Sequence, residues 1–204
     1  MIKTPWNYTL TDVNELPVIL TQEEFKAMTA GRYTDDVRIP SMLLAAESAV
    51  REFCGWHVCD SQPCEATILG RDKAVSISGC DTLIQLPATY VTDVTSVIVA
   101  GDVVDYFDFT TDGLLWLYDV CLSRRSRIVI NYQAGLTDAL AGGVKELIGH
   151  RVTHALAQSY GIQSEAAGGE SVTYSANWIN NARATALPDD NKEALNPYRL
   201  RRMF

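Results

Sequence analysis

The sequence predicts an α+β protein: a small helical bundle carrying an antiparallel β insertion and ending in an extended C-terminal tail. Two observations lead there. Apolar residues recur at helical spacing over about 21–30, 40–54 and 137–160. Between the second and third of these, from about 65 to 132, the pattern changes to short β-branched and aromatic runs separated by Gly, Asp and Pro. With 204 residues, 47% of them hydrophobic, the chain is long enough for one domain with a real core. The expected division is an N-terminal arm over 1–20 and a single domain over 21–204.

Within the arm, Trp6 and Tyr8 stand as isolated anchors. Thr21 and Glu24 then form a capping box ahead of "EEFKAM", and Gly31 suits the end of that first helix. Pro40 sits well at the start of the second helix, where Leu43, Ala46, Val50 and Phe53 fall on one face. Seven strand runs follow: "EATILG", "AVSIS", "LIQLP", "VTSVIVAG", "VVDYFDF", "LLWLYD" and "SRIVINY". The third helix runs to a stop at Gly161. After it come a Gly/Ser-rich loop, a candidate strand "SVTYSANW" and the tail over about 188–204.

Net charge of −8 argues against a general nucleic-acid binder, because such proteins gain affinity from Lys and Arg that neutralise phosphates. No run approaches the roughly 18 apolar residues of a membrane span, and the N-terminus lacks an apolar signal stretch. The expectation is a soluble protein made in the cytoplasm. Five cysteines, an odd number, fit reduced thiols better than a disulfide framework. "CGWHVCDSQPC" clusters three of them with His57, but C-x4-C-x4-C is not the paired spacing of a zinc knuckle.

The sharpest chemical pattern is "KELIGHRVTHAL", which stacks Glu146, His150 and His154 on one helix face. A metal-dependent enzyme is the alternative it raises. A zincin helix, however, needs Glu directly after the first His, and here Arg151 follows His150. At about 100° per residue, Leu140, Val144, Leu147, Ile148, Val152, Ala155 and Leu156 form the apolar stripe, and the ladder faces away from it. Arg151 falls inside that stripe and Glu47 inside that of the second helix. They either pair across the bundle or reach out to solvent. Tyr106, Phe107, Phe109 and Trp116 fit either intersubunit contacts or ordinary core. The tail "NPYRLRRMF" is basic and aromatic in an acidic chain, and Pro197 is expected to end the preceding helix and let the segment project. It reads as a DNA-touching tail, a self-packed end with Tyr198 tucked in, or a docking peptide.

The order of these pieces is more specific than any one of them. "LTQEEFKAM", an Asp pair at 35–36, "LLAAESAVREFCGW", "LIQLPATYVTDVTSVIVAGDVVDYFDF", "SRIVINYQAGLTDAL" leading into a long helix, and "ALNPYRLRRMF" follow one another. Together, over about residues 17–204, they resemble the head-to-tail connector (adaptor, or head completion) proteins of long-tailed bacteriophages. The chain departs from that pattern in its longer N-terminal arm and in Leu-Thr-Asp after "QAG", where a Pro is common. The resemblance implies a structural virion protein at the head–tail neck, with no catalytic residues, cofactor or metal. It implies a homo-oligomeric ring, a dodecamer, on the portal vertex after DNA is packaged. That ring would extend the channel for double-stranded DNA and present a surface to the next neck protein (stopper) or tail, with no membrane partner. It also implies that the C-terminal segment engages the portal, through Tyr198, Arg199, Arg201, Arg202 and Phe204. A different neck or tail binding module is the remaining rival.

Overall fold

A computed structural model of the chain describes residues 1–33, 36–157, 164–167, 170–173 and 187–200. It is α+β, with helices α1 (Gln22–Met28), α2 (Ile39–Cys54), α3 (Asp138–Ala157) and α4 (Asp189–Leu195) among the described residues. The strands are β1 (Ile2–Lys3), β2 (Tyr8–Leu10), β3 (Gln62–Leu69), β4 (Val75–Ser78), β5 (Asp81–Gln85), β6 (Val91–Val99), β7 (Asp102–Val103), β8 (Phe107–Phe109), β9 (Leu114–Leu117), β10 (Arg127–Ala134), β11 (Ser164–Ala167) and β12 (Glu170–Thr173). The chain forms two compact units, one of Met1–Pro17, Cys54–Ala141 and Pro197–Phe204, the other of Val18–Phe53 and Gly142–Asn196.

The first unit holds two antiparallel sheets. Six strands run in the order β1-β2-β3-β10-β6-β7, and four in the order β4-β5-β9-β8. Strand β10 is central, and its alternate residues Ile128, Ile130, Tyr132 and Ala134 are buried, as a half-buried strand requires. On β3 the matching set is Cys64, Ala66 and Ile68. On β6 the spacing slips from Val91 to Val94 before Val97 and Val99, because the pairing with β10 shifts register there. In the smaller sheet Ile84, Leu115 and Leu117 are fully buried.

The start of the N-terminal segment pairs into a sheet. Ile2–Lys3 and Tyr8–Leu10 extend the six-stranded sheet, with Tyr8 opposite Ala66 and Leu10 opposite Cys64. Both side chains are buried. "NYTL" is too short to show an alternating pattern, and its pairing partner lies more than fifty residues away in sequence, so local reading misses it. Trp6 is only half-buried and stacks near Tyr8, ring centroids 6.3 Å apart.

In the second unit, α1 begins with the expected capping box: Thr21 accepts from the Glu24 N–H, and the Glu24 carboxylate accepts from the Thr21 N–H at 2.8 Å. Helix α2 buries Leu43, Ala46 and Val50 on one face, and Gly55 follows its last residue at φ +80, where a side chain would be strained. Glu47 is also buried on that face, but it does not reach Arg151. Its carboxylate accepts from the N–H groups of Ile19 and Leu20, each at 3.0 Å, and pairs with Arg51 one turn on at 3.4 Å. Ile19 and Leu20 are buried and outside any ladder, so their N–H groups need an acceptor, and a partner at i+4 needs no distant pairing. Arg151 is half-buried at the edge of the α3 stripe, where burial lowers its pKa from the ordinary value. The buried hydrophobic positions of α3 are Ala141, Val144, Ile148, Val152 and Leu156, while Leu140 and Ala155 are exposed. The expected end of this helix at 158–161 and the part of "SVTYSANW" beyond Thr173 lie outside the described residues.

Candidate functional site

The histidine ladder of α3 is a surface feature. Glu146 and His150 are about 70% exposed and meet at 3.6 Å, and His154 is exposed one turn further. Among the described residues no group of three or more His, Cys, Asp or Glu is disposed to hold a metal.

His57 stands in the opposite setting. It is fully buried; its backbone N–H donates to the Tyr8 hydroxyl at 2.9 Å and its Nδ1 lies 2.6 Å from that same oxygen. Its Nε2 lies 3.0 Å from the Ala134 carbonyl, which can only accept. Nε2 therefore carries the proton, and Nδ1 accepts from the tyrosine hydroxyl. This network ties β2, the loop after α2 and the end of β10 together. It is structural, and no spacing in the sequence signals it.

The cysteines divide. Cys80 and Cys121 are joined by a disulfide, which corrects the expectation of reduced thiols throughout: an odd count excludes only complete pairing. The Val120 N–H donates to the Cys80 carbonyl, holding the two backbones side by side with Cα atoms 4.4 Å apart. Cys54, Cys59 and Cys64 are free and buried, and burial pushes the Cys54 and Cys64 thiols up to about 12. Thiols held in that state are poor nucleophiles and poor metal ligands.

The tail does not project as far as Leu200. Asn196–Tyr198 forms a 3-10 turn directly after α4. The Tyr198 carbonyl accepts from the Trp56 indole N–H at 2.7 Å, and its hydroxyl donates to the Leu140 carbonyl at 3.2 Å. Tyr198 also lies 6.0 Å from Tyr90, which itself stacks on Trp56. The Leu200 N–H donates to the Cys54 carbonyl at 2.8 Å. That carbonyl is an orphan at the end of α2, and Pro197 is tolerated in the first turn of a short helix, so the chain closes back on itself. Tyr198 is thus half-buried by its own chain and Arg199 is exposed, while Arg201, Arg202 and Phe204 lie outside the described residues. Trp56 and Tyr90, which receive the tail, carried no signal in the sequence beyond being aromatic.

The aromatics of the β region are mixed: Tyr106 is 78% exposed, whereas Phe107, Phe109 and Trp116 are half-buried. Beside them, the whole chain from 18 to 200 matches the family described as Head completion protein. The chain belongs to the head completion protein family. No curated protein sequence matches it. Membership gives this head completion protein a structural role associated with the phage head, and no described helix is long and apolar enough to cross a membrane.

Proposed function

We propose that this head completion protein is a non-enzymatic adaptor that forms a homo-oligomeric ring, a dodecamer, on the portal vertex. The ring extends the DNA channel and offers the attachment surface for the next neck protein (stopper) or tail. In this reading the helices of the second unit act as a small bundle and the β strands supply intersubunit contacts. The observation that carries the reading is the family match across both compact units, residues 18–200. Charge supports it: an acidic wall of −8 per subunit repels the phosphate backbone and favours passage of double-stranded DNA over retention.

Portal docking is assigned to the tail, with roles divided. Tyr198 fastens the segment to its own domain, and Arg199 with Arg201, Arg202 and Phe204 supplies the contact, since Arg binds carboxylates in bidentate fashion and a repeated weak contact gains avidity. The test deletes residues 201–204, which spares the Leu200 bond to Cys54. Circular dichroism verifies the fold, and co-sedimentation with DNA-filled heads measures attachment. Loss of attachment by the folded truncation is expected; unchanged attachment rules out docking through these residues.

A further inference from the structure

Charge in the first unit is segregated. Residues 74–123 contain seven aspartates and no Lys, Arg, Glu or His. On either side of that stretch lie five cations, Arg71, Lys73, Arg124, Arg125 and Arg127, all exposed, with one anion among them, Asp72, whose carboxylate accepts from the Leu69 N–H at 2.8 Å. The fold brings them to one end of the larger sheet. Arg127 pairs opposite Leu69, the Gly70 N–H donates to the Ser126 carbonyl at 2.9 Å, and a side chain at Gly70 would collide with the Ser123 carbonyl. The turn at 70–73 and the turn at 123–126 are therefore clasped side by side. Among the described residues, none of the five cations takes part in an ion pair.

A complementary surface lies on the smaller sheet. The Tyr118 hydroxyl donates to Asp108 at 3.1 Å, and the Tyr118 N–H donates to the Tyr106 carbonyl at 3.4 Å. Thr82 pairs opposite Leu117, so the neighbouring Asp81 lies beside Tyr118 at the same end of the sheet. Asp105 and Asp119 flank the two tyrosines, and Tyr106 and Tyr118 are exposed, the first at 78%. The disulfide between Cys80 and Cys121 fastens the two segments that carry Asp81 and Asp119. Among the described residues these aspartates take part in no ion pair either.

We propose that the basic pair of turns, Arg71, Lys73, Arg124, Arg125 and Arg127, docks on the aspartate and tyrosine surface around Tyr106 and Tyr118 of a second copy of this chain. The inference deepens the ring reading and rests on it. Arginine recognises such a surface twice over, binding carboxylates in bidentate fashion and stacking on tyrosine rings. The contact joins two different surfaces, so it is heterologous, the type that closes rings. A phosphate backbone could also take five cations, but a body of net charge −8 opposes its approach, whereas the matching acidic surface is present on every copy.

Two variants test it, Arg124→Glu with Arg125→Glu, and Asp108→Arg with Asp119→Arg, each checked for an unchanged thermal midpoint. Sedimentation velocity at roughly 0.05 M salt, alone and with DNA-filled heads, reads association, with a parallel series to roughly 1 M salt. Association by the wild type is expected to weaken as salt rises. Each variant alone is expected to weaken it by at least about tenfold. An equimolar mixture of the two is expected to recover it, because each copy supplies the surface its neighbour lacks. Wild-type association by either variant, or no recovery in the mixture, overturns this contact and leaves the ring reading standing. A wild type that associates neither alone nor on heads overturns both. Anisotropy with a duplex DNA forms the other arm: DNA binding that only the arginine variant loses, with association intact, assigns the cations to DNA and overturns the proposal.

Discussion

His57 and the pair His150 and His154 occupy opposite physical regimes. The first is fully buried, holds one tautomer and spends both ring nitrogens on partners that lie 49 and 77 residues away in sequence. The other two sit on the open face of α3, where His150 meets a neighbouring, equally exposed Glu146. The pair with the more suggestive spacing is the one with less structural consequence. Burial, rather than spacing, separates a histidine that organises a fold from one on a helix surface.

Changing His57 to Ala sets the upper end of that contrast. It empties a buried site and removes the ring's bonds to the Tyr8 hydroxyl and the Ala134 carbonyl, so a loss of about 4 kcal/mol is expected in chemical denaturation. A loss comparable to a surface change would break the comparison. Next comes Glu47→Ala, which leaves Arg51 buried without its carboxylate and removes the acceptor of the Ile19 and Leu20 N–H groups. About 3 kcal/mol is expected, measured the same way.

A smaller effect belongs to Glu24, whose carboxyl is held down at about 2, first by its bond to Lys145 and then by the Thr21 N–H. A depressed carboxylate contributes stability that is complete above its ordinary value of 4.5 and is lost as pH falls through about 2. The pair is two-fifths exposed on the Glu24 side, which limits the effect to about 0.5 kcal/mol. Glu24→Gln should flatten the pH dependence of the unfolding midpoint in that window and leave it unchanged near neutrality apart from this small loss. The smallest effect is expected from His150→Ala with His154→Ala, within about 0.5 kcal/mol. A loss of several kcal/mol there would mean that the ladder, and not the stripe opposite it, is buried.

Much of the fold was legible because it is locally encoded. Thr21 and Glu24 announce α1, Leu43, Ala46 and Val50 mark the inner face of α2, and each β-branched run in 65–132 corresponds to a strand or strand pair. What escaped reading joins residues far apart. Tyr8 finds its place through His57, Leu200 closes on Cys54, and Cys80 meets Cys121 across 41 residues. Glu47 shows the same limit: its place in the apolar stripe is legible and leaves pairing with Arg151 or reach to solvent open, whereas the N–H groups of Ile19 and Leu20 that its carboxylate accepts from carry no sequence signal. For the candidate docking tail, sequence showed which residues are unusual but not that Tyr198 is already engaged by Trp56 and Leu140.

The central claim, an adaptor ring that completes the head at its portal vertex, is tested most directly by electron microscopy of DNA-filled heads that lack this protein, before and after incubation with the purified chain. New, rotationally symmetric density is expected at a single vertex, around the axis of the DNA channel. Heads left unchanged, or density spread over the shell without a ring at one vertex, would contradict it.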